Sequence, residues 1–125
     1  MLLPITSFQR RFQIWLYTVS HGQLLLRSNR SDQHATRVDV LFKDVAVVQL
    51  PMSFDGLVVM EASEGEARNL NVQLGAQQIH DRKVFVIQGS NFEGYVVAGA
   101  VFWHEDEGRH FDESYFQKSF VNLRV

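Results

Sequence analysis

Residues 12–28 read Phe-Gln-Ile-Trp-Leu-Tyr-Thr-Val-Ser-His-Gly-Gln-Leu-Leu-Leu-Arg-Ser. Phe12, Ile14, Leu16 and Thr18 fall on one side of an extended chain, and Trp15, Tyr17 and Val19 on the other. A period of two with both sides apolar or aromatic marks a strand covered, at least in part, on both faces. Ser20-His21-Gly22-Gln23 then turns the chain, with Gly22 able to take positive φ, and Leu24–Ser28 returns as a second strand. The pattern predicts a β-hairpin.

The same period continues outward from this hairpin. Asn29–Ala35 is polar throughout and reads as an exposed loop. Beyond it Val38, Val40 and Phe42 alternate with Arg37, Asp39 and Lys43, as a half-buried antiparallel strand requires. Val45–Leu50 is a further β-rich run stopped by Pro51. Met52–Gly56 reads as a turn, and Leu57–Ala62 as the next strand. Ser63–Asn69 reads as the most mobile stretch, followed by a short strand through Leu70, Val72 and Leu74. Lys83–Gln88 and the long run Tyr95–His104 complete the set, with Gly99 marking a bulge or a close backbone approach. From Asp112 the pattern fits a short capped helix slightly better than a strand, with Tyr115, Phe116, Ser119, Phe120 and Leu123 on one face. The expectation is a single all-β domain over residues 1–125, mainly antiparallel. It has about eight short strands in a sandwich or barrel and at most one short C-terminal helix.

Composition narrows the class further. Twelve basic against fourteen acidic residues give a formal net charge of -2, and there is no cysteine. These exclude a strongly basic nucleic-acid binder, a disulfide scaffold, a thiolate metal site and a cysteine nucleophile. Apolar runs stay well short of the roughly 18–20 residues that cross a bilayer, and Pro4 breaks the apolar start. The reading is a soluble, cytoplasmic protein. Nucleophile elbows and phosphate-cradling glycine loops are missing, and no cofactor is implied.

Four groups of residues remain as candidates. His104-Glu105-Asp106-Glu107-Gly108-Arg109-His110 gathers imidazole and carboxylate. General acid–base work would fall to His104 and Glu105, and metal binding to His104, Asp106 and His110. The bland account is a solvated acidic turn, which charge runs between strands usually are. Phe54 and Phe92 fall in predicted turns, where a rim for a partner or second subunit is the specific reading. Residues 1–43 carry six basic and two acidic groups (+4), and the rest six and twelve (-6). A basic face with Arg10, Arg11, Arg27, Arg30 and Arg37 near Trp15 and Tyr17 would suit a single strand of nucleic acid. Cross-strand neutralisation is the plainer account. The histidines at 21, 34 and 80 read as loop residues. Taken together, the residues point away from an enzyme and toward a non-catalytic β domain acting by association, with itself or with a protein partner. A small-molecule or metal-binding enzyme near His104 and His110, and a weak single-stranded nucleic-acid binder, are the alternatives.

Overall fold

The computed structural model describes residues 4–74 and 81–116. Eight strands form one antiparallel sheet: β1 (Thr6–Thr18), β2 (Gln23–Ser28), β3 (Arg37–Lys43), β4 (Val47–Gln49), β5 (Ser53–Glu61), β6 (Lys83–Gln88), β7 (Glu93–Ala98) and β8 (Ala100–Asp106). Their spatial order is β4-β7-β6-β5-β1-β2-β3-β8. The predicted hairpin is β1–β2, closed through Gly22 at φ 58° and registered Gln13 to Arg27 through Thr18 to Gln23.

The sheet curls deeply without closing into a barrel. Phe42 on β3 and Phe85 on β6 stand four strand positions apart, about 19 Å in a flat sheet. Their ring centroids are 5.6 Å apart. Only a sheet folded over its own inner face brings them together. That face holds the main core, including Phe12, Leu26, Val40, Leu57, Val59 and Ile87. The run predicted as one long strand is divided at Gly99, whose N–H donates to the Lys43 carbonyl at 2.8 Å. This break carries the chain from β7, beside the short edge strand β4, to β8 at the opposite edge. A single curled sheet therefore takes the place of the expected choice between sandwich and closed barrel.

A helix forms where the sequence reading has a loop and a strand. α1 (Glu64–Leu74) occupies the stretch read as a mobile loop and short strand. Ser63 explains it: its hydroxyl accepts the Glu66 N–H, and the Glu66 carboxylate accepts the Ser63 N–H. This capping box satisfies two donors that a helix start otherwise leaves open. α1 buries none of its residues and stands on the surface. It is too short and too polar to cross a membrane, and the same holds for every helix among the described residues. Most of the C-terminal helix expected over residues 112–123 falls outside the described residues. Asp112 accepts instead from the Arg109 N–H, three residues back.

Strand β1 is longer than either neighbour. It pairs β5 from Thr6 to Gln13 and β2 from Gln13 to Thr18, with a register shift in each ladder. Its N-terminal half therefore has no strand on the β2 side among the described residues. The fold depends on the contact that closes the curl, so Phe85→Ala is expected to lower stability by about 3–5 kcal/mol. Denaturant unfolding measures this.

Candidate functional site

The outer face of β2, β3 and β8 carries two arginines that are almost fully buried. Register sets their partners. Arg27 lies opposite Asp39 and Arg37 opposite Asp106 on neighbouring strands. Arg27 Nε and Nη2 donate to the two Asp39 oxygens at 2.8 and 3.1 Å, and Nη1 donates to the His110 carbonyl at 2.7 Å. Its guanidinium lies 4.9 Å from the centre of the Trp15 ring. Arg37 uses all five of its donors. Two meet Asp106, two meet the carbonyls of Arg109 and Asp112, and the fifth meets that of Glu113. A side chain at Gly108 would place its Cβ 2.4 Å from this guanidinium, so glycine is needed there. The two arginines thus bind the segment 106–113 down across the sheet. Phe116 then packs with Leu25 and Leu41, and Trp15 closes the cluster.

This placement corrects the reading of Arg27 and Arg37 as surface binding residues: both are 1% exposed and ion-paired. Arg30 alone of the three is exposed. Phe54 is likewise corrected. It lies on β5 opposite Phe12, 5% exposed, because strand β5 begins before the predicted turn ends. Phe92 sits in the β6–β7 hairpin, half-buried, with its ring 4.8 Å from that of Phe54.

The histidine–carboxylate cluster is separated by the strand itself. His104 and Glu105 are adjacent on β8 and face opposite sides. His104 stacks on Tyr115 at 3.7 Å, whereas Glu105 accepts the Thr36 hydroxyl on the other face. They do not form an acid–base pair. Asp106 has both oxygens on Arg37 and also accepts the Gly108 N–H. Burial raises its pKa, but these hydrogen bonds and the charges of Arg37 and His104 outweigh it, and its carboxyl sits below the usual range. Among the described residues no three metal-binding side chains converge. His110 lies apart from His104, beside Phe111 at the mouth of a cleft.

The sequence groups the four arginines of that cleft, Arg10, Arg11, Arg27 and Arg30, as part of a basic face, but does not show the concavity they line. Its volume is about 790 Å³. The floor is the outer row of β1 (Ser7, Gln9, Arg11, Gln13) with Asp55 of β5. Asn29, Arg30, Ser31, Gln33, His34 and His110 form one wall, and Gln88–Ser90 the other. Arg10 anchors the first wall through Ser28, Asn29 and Thr36: its Nε donates to Ser28 Oγ at 2.7 Å and its Nη2 to the Asn29 carbonyl at 3.3 Å. Burial holds the Arg10 guanidinium below the usual arginine range, and Glu105 pulls it back up. A shallower recess continues past Arg30, Ser31 and His110 to Arg109 and Phe111. The polar loop was visible in the sequence, but its position over the unpaired half of β1 was not. Comparison with protein-family models, curated proteins and solved structures finds no match to this chain.

Two outcomes follow from the arginine pairs. Asp39→Ala leaves Arg27 buried without its carboxylate and is expected to cost about 3–5 kcal/mol in denaturant unfolding. Replacing the pair together by Met and Leu is expected to recover most of that loss. Asp106, with its folded pKa depressed, contributes stability above its unfolded value of 3.8 and loses it as pH falls through the lower folded value. Asp106→Asn is therefore expected to be less stable than the parent at pH 7. Its thermal midpoint should also fall less steeply below about pH 4.

Proposed function

We propose that this chain is a non-catalytic association module and that its partner surface is the cleft over the N-terminal half of β1. The observation that carries this reading is the cleft's arginine-rich lining, in which Arg30 lacks a carboxylate partner among the described residues. Four arginines and two histidines line the cleft, against the single carboxylate of Asp55. Arg27 and Arg10 are held by Asp39 and Glu105, which lie outside the lining. Arg11 pairs with Asp55 at the surface, both more than 60% exposed, a contact contributing at most about 1 kcal/mol. Among the described residues Arg30 donates to the carbonyl of Glu107 and has no carboxylate partner. In a protein of net charge -2, such a concentration of positive charge is a local feature and favours a specific encounter.

The shape supports a macromolecule. The floor residues Ser7, Gln9 and Arg11 and the wall residues Arg30, Ser31 and Gln33 are all exposed, as in a groove open along its length. Nucleic acid fits the charge, but the rings do not line the cleft as a platform: Trp15 stands over Arg27, Phe8 and Phe12 belong to the core, and the exposed Phe111 lies outside it in the adjoining recess. The absence of cysteine accords with a reducing, cytoplasmic setting.

Arg30→Glu reverses the one unpaired charge of the wall without touching the core. The proteins that the parent chain retains from its native lysate at moderate salt are expected to be lost by this variant, with unfolding unchanged. Quantitative mass spectrometry of the two eluates decides it. Equal recovery on both would remove the cleft as the partner surface.

A further inference from the structure

The cleft meets β1 along an open strand edge as well as along a face. Phe8, Arg10 and Phe12, whose side chains turn inward, line it together with the outward row of Ser7, Gln9, Arg11 and Gln13. On this side β1 has no ladder before Gln13 among the described residues, because β2 ends at Ser28 and the chain leaves it for the Asn29–Ala35 loop. Arg10 bridges the gap by donating to the carbonyls of Ser28 and Asn29. Strand edges of this kind are templates for another extended chain. A second observation points the same way. Asn29 lines the cleft, and its amide nitrogen and oxygen are both withdrawn from solvent with no hydrogen-bond partner. An unmet buried polar group costs about 1–3 kcal/mol. A peptide group presents one donor and one acceptor, the complement of this amide.

We infer that the cleft takes an extended acidic peptide segment of a partner protein, added as a strand along Ser7–Arg11, with its carboxylates on Arg11 and Arg30. This rests on the association reading above and specifies the chemistry of the partner. Main-chain pairing along β1 supplies affinity independent of sequence, and the arginines select acidic side chains. Arg109, in the adjoining recess, extends the positive lining beyond Arg30. Acidic groups near this path are Asp55 on the floor, Asp112 in the recess and the exposed Asp32 of the loop, between the lining residues Ser31 and Gln33. Asp55 already accepts from Arg11, and Asp112 accepts the Arg109 N–H. An incoming carboxylate replaces Asp55 on Arg11 at little cost, since that pair is solvent-exposed.

The test is titration of the isotope-labelled full chain, followed by amide chemical shifts. The probes are a peptide of about nine residues alternating Glu with Thr and Val, its lysine counterpart, and a short oligothymidylate. The expected result is saturable shifts at Ser7–Arg11 and Asn29–His34 with the acidic peptide alone. Arg30→Glu should weaken the affinity at least fivefold, and methylating alternate peptide nitrogens should abolish binding. No shift at millimolar peptide, or shifts elsewhere, overturns the inference. So does equal binding of the methylated peptide, which would show charge attraction without strand pairing. Shifts with oligothymidylate and none with the peptide overturn it in favour of nucleic acid. If the acidic peptide fails while Arg30→Glu still abolishes partner capture, the cleft stands as the partner surface and only the acidic-strand chemistry falls.

Discussion

The organisation of the outer face follows from burying two guanidinium groups. A charge taken out of water requires a counter-charge and a full set of hydrogen bonds, or it costs several kcal/mol. Asp39 and Asp106 supply the charge from neighbouring strands, but they cannot satisfy every donor. The remaining acceptors are backbone carbonyls of residues 109–113, so the chain beyond β8 must lie across the sheet. That demand fixes Gly108, seats Phe116 on Leu25 and Leu41, and carries His110 to the wall of the cleft. A structural pair at one end of β3 thus shapes a surface some distance away.

The cleft itself arises from a mismatch in length. A strand of thirteen residues is served by two neighbours that each pair about half of it. The half left open toward β2 is bordered by a polar loop, which Arg10 keeps from drifting away. An edge left in this way invites non-specific pairing, and charge along it is a common safeguard. Here Arg11 and Arg30 lie along a concavity that also holds Asp55. Under the proposed reading, the arginines that guard this edge are also those that would select an acidic occupant.

Several features could be read from residue order because their causes are local. The period of two in Phe12–Ser28 and Arg37–Lys43 reflects the alternating geometry of any strand, so the β class and the antiparallel hairpin were legible. The capping box at Ser63–Glu66 is also local, yet the alternation of Leu70, Val72 and Leu74 pointed to a strand, and the helix was misread. Phe54 was misplaced for a related reason. Asp55-Gly56 resembles a turn, but Gly56 at φ 81° lies within β5, where the Ser90 N–H donates to the Asp55 carbonyl.

The sequence by itself determined the strand-rich class, the hairpin and the outward placement of Arg27, Arg37 and Asp39, since each depends on residues close together along the chain. Only the tertiary structure decided that those arginines are buried and that Arg30 remains exposed. An outward-facing charge can meet water or a covering segment, and nothing local distinguishes the two. The curl of the sheet, the pairing of Phe42 with Phe85 and the cleft beside β1 were decided in the same way. They depend on strand order, which is set by contacts between residues far apart in the chain.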